Sequence, residues 1–125
     1  MDERIRQALG HGQVIDITTT GRASGQPRRI EIWFHNIDGR IYITGRPGRR
    51  DWYANLRAKP EITLHLKHGL QADLPARATP IEDPAAKRAI LDRIMQIPGW
   101  TGDLDAWVAQ SPLVEVTIDG LREKE

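Results

Sequence analysis

The chain has 125 residues, of which 39% are hydrophobic and 28% charged, and its formal net charge is +1. This length fits one domain with one core, and the composition excludes a disordered or collagen-like chain. The absence of cysteine excludes disulfides, thiolate nucleophiles, iron–sulfur clusters and cysteine–zinc sites. The opening residues MDERIRQALGHG lack the apolar core of a signal peptide, and no hydrophobic run is long enough to span a bilayer. We therefore expect a cytoplasmic protein.

The first half of the chain predicts one short helix and then strands. A helix over residues 2–9 is broken by Gly10 and Gly12, and a strand follows over 14–18. After a turn-rich loop, apolar and polar residues alternate from Arg28 to His35, which predicts a strand with one buried face and with His35 on the outer face. A turn at residues 38–39 joins this strand to a second one over 41–44, so the two form a hairpin.

The second half adds two clear helices and three strands. Asp51 is placed to cap a helix that ends before Pro60. Strands follow over 62–67 and 72–81, the latter weakened by Pro75, which suits only an edge or a bulge. Asp83 caps the clearest helix, which has an apolar stripe from Ala86 to Ile97. A helical turn over 105–109 and a strand over 114–118 complete the chain.

The order of these elements predicts the fold class. The strands are short and alternating, and no regular crossover helices separate them, which favours antiparallel pairing. We therefore expect a mainly β protein with flanking helices, an antiparallel β-barrel, in a single domain over residues 1–125.

Two segments carry the strongest hint of a ligand. In GRASGQPRR, residues 21–29, glycines allow backbone amides to approach a ligand, and three arginines add positive charge. In GRPGRRDWYANLRAKP, residues 45–60, a basic loop runs into a helix start. Neither segment is a Walker loop or a GxGxxG fingerprint. A solvated turn with surface arginines, and core packing for Trp52, remain the simpler alternatives, but the two segments together indicate an anion site.

These residues resemble a known family. The run ITTTGRASGQPRR followed by GRRDWYANLRAKPEITL is similar to the deazaflavin-dependent nitroreductases, relatives of the FMN-binding-like split β-barrel reductases. The similarity covers about residues 17–66. It implies a split β-barrel, usually a homodimer, that binds coenzyme F420 and passes its hydride to quinones, nitro compounds or activated alkenes.

The resemblance also implies the cofactor contacts. They lie in the first loop and the strand after it, beside the ring in the second loop, and at the following helix start: Arg22, Ser24, Arg28, Arg29, Ile30, Glu31, Ile32, Trp33, Thr44, Gly45, Arg46, Asp51, Trp52, Tyr53 and Asn55.

The chain departs from the family pattern in two places. Ala23 stands where the family commonly has lysine, so Arg22 or Arg29 would supply the missing charge. The C-terminal half has Trp100 and Trp107 and no tyrosine, although related nitroreductases place tyrosines near the substrate. These two tryptophans and Trp33 are candidates for the substrate pocket or, for Trp33, a dimer interface.

The catalytic groups are less clear than the cofactor site. Hydride transfer is the chemistry of the cofactor, so the protein needs no catalytic triad. Possible proton donors are Tyr42, Tyr53, Ser24 and His35, and for His35 the favoured interpretation is an ordinary surface residue. His65 and His68 lie on a strand and near its end, so their side chains need not converge, and we predict no metal site.

Three other functions stay open. One is the same barrel binding flavin mononucleotide, because an arginine-lined phosphate site does not distinguish a deazaflavin ring from a flavin ring. A non-enzymatic carrier of an apolar or tetrapyrrole-like ligand is another. An RNA-binding barrel ranks last because the net charge is near zero, and we expect no nucleic-acid partner.

Overall fold

The computed structural model describes residues 2–120. Met1 and residues 121–125, the two ends of the predicted domain, lie outside the described residues. None of the helices in the described part is long and apolar enough to cross a membrane. In chain order the elements are α1 (Glu3–Ala8), β1 (Gln13–Thr20), β2 (Pro27–Ile37), β3 (Arg40–Thr44), α2 (Asp51–Ala58), β4 (Glu61–Leu66), β5 (Ala72–Pro80), α3 (Pro84–Met95), α4 (Leu104–Gln110) and β6 (Leu113–Ile118).

The strands form a closed barrel in the order β1-β2-β3-β6-β5-β4, and every neighbouring pair is antiparallel. The predicted antiparallel β-barrel with flanking helices is confirmed. Its interior is filled by one side of each strand, as the alternation requires. Ile15, Ile17, Phe34, Ile43 and Leu64 are completely buried there.

The hairpin of β2 and β3 turns where the sequence predicts it. Asp38 and Gly39 both have positive φ, 55° and 85°, as a tight hairpin turn matching the strand twist requires. The Gly39 N–H donates to Oδ1 of Asn36 at 3.0 Å. This turn sets the register in which His35 faces Tyr42 and Phe34 faces Ile43.

Pro75 lies inside β5, a strand that is paired on both sides. The ladder between β5 and β6 begins only at Ala76, which pairs with Ile118. The Pro75 carbonyl accepts from the N–H of Asp119 beyond that ladder, at 3.3 Å. The missing N–H of proline therefore falls where strand pairing with β6 has already ended, and the strand tolerates it.

The helix starts differ from each other. Asp83 caps α3 as predicted, because its carboxylate accepts from the Ala86 N–H at 2.9 Å. The prediction for α2 was wrong: its N-cap is Arg50, which makes no side-chain capping bond, and Asp51 is the first helical residue. The apolar stripe of α3 also ends earlier than predicted, since the helix stops at Met95 and Ile97 is 38% exposed.

A second apolar cluster lies outside the barrel. Here α3 and α4 pack over the outer face near the β2–β3 hairpin, burying Tyr42, Leu91, Ile94, Trp107 and Leu113. His35 shares this outer face and is only 4% exposed. The prediction that His35 is a surface residue was therefore wrong, because Trp100, in the loop between α3 and α4, packs over its part of the sheet.

Candidate active site

The loop between β1 and β2 is a closed turn. The Gly21 N–H donates to the Gln26 carbonyl at 2.8 Å, and the Gly25 N–H donates to the Gly21 carbonyl at 2.9 Å. Inside the turn, Ser24 Oγ accepts from the Gln26 N–H at 3.1 Å. A Cβ on residue 21 would lie 2.4 Å from Ser24 Oγ. Any larger residue at position 21 would force the Ser24 hydroxyl out of this position, so glycine preserves the turn.

Asn55 joins this loop to α2. Its Oδ1 accepts from the Arg22 backbone N–H at 3.1 Å and from Arg22 Nη1 at 2.8 Å. Its Nδ2 donates to Thr19 Oγ1 at 3.4 Å, and the residue is only 5% exposed. Arg22 Nη2 also pairs with Asp51 at 3.3 Å. Much of the Arg22 charge is therefore used to hold loop and helix together, and Asn55 is no surface residue.

We expect Asn55→Ala to lower the free energy of unfolding by about 1–3 kcal/mol, because the change leaves the part-buried Arg22 N–H without its acceptor and removes one of the two acceptors of the Arg22 guanidinium. Asn55→Asp is the matched control, since it keeps an oxygen at the same place and should remain closer to the wild type. Urea unfolding of the three proteins measures the effect. Equal stability of the alanine and wild-type proteins would show that the Asn55 contacts do not hold the loop.

A cavity of about 490 Å³, here the loop cavity, lies between this loop and α2. Arg28 points toward it from the same side of β2 as Ile30, opposite Thr19 in the β1–β2 register. Among residues 2–120, no carboxylate pairs with the Arg28 side chain. An uncompensated guanidinium beside a glycine turn is suited to an anion. The lining consists of Thr19, Gly21, Arg22, Ala23, Ser24, Arg28, Ile30, Asp51, Trp52 and Asn55.

A second cavity, of about 580 Å³ and here the basic cavity, shares Arg22 and Asp51 with the first. Arg49 lines it, and no carboxylate in the described part of the chain pairs with its side chain. Arg50 fixes the adjoining loop, because its guanidinium donates to the carbonyls of Arg46 and Arg49 at 2.9 and 3.0 Å. The buried Ser111 hydroxyl also lines this cavity and has no hydrogen-bond partner among residues 2–120.

The basic cavity is completed by Arg22, Gly48, Asp51, Tyr53, Ala54, Arg57, Lys87, Ala109, Gln110 and Pro112. One of these cations is already paired, because Arg57 lies 3.0 Å from Glu82. Burial lowers the pKa of Lys87 from its usual value. Arg49 is exposed and pairs with no carboxylate of the described residues, so it is available to an anionic group.

A third cavity, of about 330 Å³ and here the tryptophan cavity, lies on the outer face of β2 and β3. Trp100 packs edge-on against both Trp107, at 4.7 Å between ring centroids, and His35, at 5.7 Å. Gly45 of this cavity lies near Trp52 of the loop cavity, since a Cβ built on Gly45 would be 3.7 Å from Cζ2 of Trp52. The lining residues are Trp33, His35, Thr44, Gly45, Arg46, Gly99, Trp100, Thr101 and Trp107.

Most of the predicted cofactor residues line one of these three cavities. Arg29, Glu31 and Ile32 do not. Arg29 Nε pairs with Asp16 at 2.9 Å, and Glu31 pairs with Lys67 at 2.5 Å, both on the outer face of the sheet. Ile32 packs against the barrel core.

The predicted proton donors are scattered. Tyr42 is buried in the second apolar cluster and lines none of the three cavities, whereas Tyr53 lines the basic cavity. Burial raises the pKa of both phenols above the ordinary value, so both keep their protons at neutral pH. Ser24 is engaged within its own loop.

The histidines considered for a metal occupy different surroundings. His65 is held by Thr18 and Asp73, with 2.7 Å from Nε2 to Oγ1 and 2.7 Å from Nδ1 to Oδ1. Within residues 2–120 no three histidine or acidic side chains are grouped so that they could hold a metal ion.

His35 is the residue of the tryptophan cavity that sequence reasoning missed. The strand alternation places it correctly on the outer face. The sequence signal that could have revealed its burial lies later in the chain. An amphipathic helix followed by two tryptophans must pack on another apolar surface, and the outer face of a hairpin provides one.

Comparison with known proteins decides the family. A model of the F420H(2)-dependent quinone reductase family matches residues 2–99. The chain belongs to this family. It is therefore an oxidoreductase that uses coenzyme F420, and the predicted resemblance is confirmed.

Solved structures show the same fold at low sequence identity. A putative 5-nitroimidazole antibiotic resistance protein from Bacteroides thetaiotaomicron is 18% identical, with a TM-score of 0.71 over 95% of this chain and 80% of that one. A protein described as an F420 reductase is 16% identical, with a TM-score of 0.69 over 92% and 93%. A FAD-binding protein from Mesorhizobium loti is 16% identical, with a TM-score of 0.66 over 95% and 90%. This reductase therefore has the same barrel fold as all three proteins.

Proposed function

We propose that this reductase holds the anionic parts of F420 in the loop cavity and the basic cavity, and reduces a quinone-type acceptor in the tryptophan cavity. The observation that carries the proposal is that Gly45 and Trp52 are neighbours, so that an arginine-lined groove lies next to an aromatic cavity. A flat ring lying at this junction would have its phosphate on one side and an acceptor on the other.

The donor set fits this cofactor. A phosphate suits the glycine turn and the uncompensated Arg28, because a guanidinium binds such oxygens in bidentate fashion. A carboxylate-bearing tail suits Arg49 in the basic cavity. Reduced coenzyme F420, when bound, supplies a hydride. The quinone takes up that hydride and one proton from water, and it leaves as the hydroquinone.

In this arrangement the protein binds and orients the cofactor and the acceptor, and it keeps water away from them. Trp52 is buried beside Gly45 and bounds the loop cavity. Trp100 and Trp107 shield the acceptor position from bulk solvent, and Thr44 is fixed at its edge because its hydroxyl donates to the Pro112 carbonyl at 2.5 Å. Nitro compounds and activated alkenes are the other acceptors that this chemistry accommodates.

A fluorescence titration with oxidised F420 and, in parallel, with flavin mononucleotide tests the proposal. Preferential binding of F420, followed by oxidation of reduced F420 on addition of a benzoquinone, is the expected result. Binding of flavin mononucleotide alone would overturn the placement of the long tail. Binding without turnover of any acceptor would favour a carrier.

We expect Arg49→Glu to weaken F420 binding about tenfold and to leave flavin mononucleotide binding unchanged, because only F420 extends a charged tail toward the basic cavity. Arg49 is a better position than Arg50, whose bonds to two carbonyls hold the loop. The control is Arg77→Glu, which makes the same charge change on an exposed residue of β5 that lines none of these cavities. Parallel titrations of both variants measure the effect. Equal weakening of both ligands would contradict the tail assignment.

We also propose that the reductase is a homodimer acting in the cytoplasm. Trp33 supports the first part, because it is a large apolar side chain on the outer face of β2 and is 50% exposed. An exposed tryptophan is typical of an interface. Sedimentation velocity of the purified protein gives the mass that distinguishes one copy from two.

A further inference from the structure

Among residues 2–120, the tryptophan cavity is lined by one charged side chain. Arg46 lines it and is exposed, in the loop that follows β3. The other lining residues are tryptophans, glycines, threonines and His35. Burial lowers the pKa of His35 to about 4, so its imidazole is neutral at physiological pH. Since no carboxylate of the described residues lines the cavity, Arg46 sets the sign of its local charge.

The main chain of Arg46 is held, whereas its side chain is available. Its carbonyl accepts from Arg50 Nη2 at 2.9 Å, which fixes the backbone next to Gly45. In the described part of the chain, no carboxylate pairs with the Arg46 guanidinium. A guanidinium stays charged at every physiological pH, and its N–H groups bind negatively charged oxygens. The fold therefore places an available cation at an aromatic cavity.

The reaction creates a negative charge in the same place. A hydride brings two electrons and one proton, so a neutral quinone that accepts it becomes a hydroquinone anion with its charge on oxygen. An anion beside aromatic walls is costly unless a cation or a donor stabilises it. No tyrosine of the described residues lines the cavity, and the Thr44 hydroxyl already donates to the Pro112 carbonyl. The cavity therefore offers the acceptor a cation in place of an acidic side chain.

We propose that Arg46 stabilises the negatively charged oxygen that forms on the acceptor as the hydride arrives, before a proton from water completes the hydroquinone. This inference rests on the proposed function, because it places the acceptor in the tryptophan cavity. Arg46 is then a catalytic residue that acts through its charge. Its interaction with the developing anion is stronger than its interaction with the neutral quinone, and such a difference lowers the barrier of the chemical step.

Two substitutions separate the charge from the rest of the side chain. Arg46→Gln keeps a polar side chain and removes the charge, whereas Arg46→Lys keeps the charge and loses the planar donor group. The control is Arg77→Gln, which makes the same charge change on an exposed residue of β5 that lines none of the three cavities. Both positions are exposed, so circular dichroism at pH 7.5 should show folded protein in every case.

The first measurement needs no cofactor. The probe is para-nitrophenol, a flat ring whose oxygen ionises near neutral pH and whose anion is yellow, so absorbance gives the pKa of the bound phenol. We expect this pKa to be about one pH unit lower in the wild type than in Arg46→Gln, because a nearby cation favours the anion. Arg46→Lys should retain most of the difference, and Arg77→Gln should match the wild type.

The titration runs between pH 6 and 8, where His35 stays neutral in the folded protein because its pKa is about 4. Arg46 keeps its charge throughout this range. The change in absorbance therefore belongs to the phenol. A wild type that binds no nitrophenolate, or a bound phenol with the same pKa in the wild type and Arg46→Gln, would overturn the charge assignment.

The second measurement follows a single turnover. Protein loaded with reduced F420 is mixed rapidly with a saturating benzoquinone, and the reappearance of oxidised F420 gives the rate constant of hydride transfer. We expect this constant to fall about tenfold in Arg46→Gln and to recover to within about threefold in Arg46→Lys. The effect is smaller than for a buried oxyanion donor because solvent screens an exposed charge. The Kd for F420 should change by less than about threefold, since Arg28 and Arg49 are retained.

The outcomes distinguish this inference from the proposed function. Failure of the wild type to bind F420 or to reduce the quinone would sink the proposed function, and the nitrophenol titration would then decide on Arg46. A tenfold higher F420 Kd in Arg46→Gln with an unchanged transfer rate would assign Arg46 to the cofactor instead. Equal transfer rates in the wild type and Arg46→Gln, with normal F420 binding, would contradict a catalytic role for this charge.

Discussion

Replacing Arg28 with alanine is expected to raise the Kd for coenzyme F420 by roughly ten- to a hundredfold, with little change in stability. The size of this change in Kd follows from the loss of a hydrogen bond to a charged group, which contributes about 1.5–3 kcal/mol. The fold should tolerate the change, because no carboxylate in the described residues depends on this guanidinium. Isothermal titration calorimetry or fluorescence anisotropy with F420 measures the effect.

The adjacent residue provides a matched control. Arg29 carries the same charge but faces the opposite side of β2, where it pairs with Asp16 at 2.9 Å. Arg29→Ala should change the F420 Kd by less than about threefold, because the long-range effect of one exposed charge is screened by salt. Equal losses in both variants would mean that general positive charge, and not the loop cavity, attracts the cofactor. No loss in Arg28→Ala would remove the anion site from this loop.

The second large effect concerns the pH dependence of stability. Burial lowers the pKa of His35 from 6.5 to about 4 in the folded protein. Below pH 6.5 the unfolded chain therefore takes up a proton that the folded protein does not, so stability falls as the pH drops from 6.5 to 4. Between pH 7.5 and pH 5 this group should lower the free energy of unfolding by on the order of 2 kcal/mol.

Urea unfolding of the wild type and His35→Phe at several pH values isolates the contribution of this histidine. The carboxylates and the other histidines are common to both proteins, so their titration largely cancels in the difference. The wild type should lose stability relative to His35→Phe between pH 6.5 and 4, and the difference should be constant above pH 7.5. A difference that does not change with pH would show that the folded protein protonates His35 as readily as the unfolded chain does.

Local patterns predicted much of the architecture. Period-two alternation in residues 28–35 and the Asp38–Gly39 pair determine a strand and its turn through steric preferences that act over a few residues. The same holds for Asp83 as the cap of α3. The prediction for Asp51 failed because a good capping residue type does not settle which residue has the capping geometry; here that residue is Arg50.

The candidate site was predicted in composition but not in arrangement. The glycine-and-arginine loop predicted an anion site, and its resemblance to a known motif predicted the family, which the family model confirmed. Neither revealed that Asn55 holds Arg22 by its backbone and its side chain, or that Arg28 remains uncompensated while Arg29 is paired. These differences depend on where α2 and β1 lie relative to the loop, and those elements are distant in sequence.

The sequence by itself determined the antiparallel strands, their turns and the basic loops, because strand period and turn chemistry depend on neighbouring residues. Its two motifs resembled those of the reductase family. Only the tertiary structure decided which part of the sheet's outer face is covered. His35 is buried because Trp100, 65 positions later, packs on it. That contact is stabilised by the apolar area that β2 and the Trp100 loop bury against each other. The residue pattern of either segment alone does not show that the two will meet.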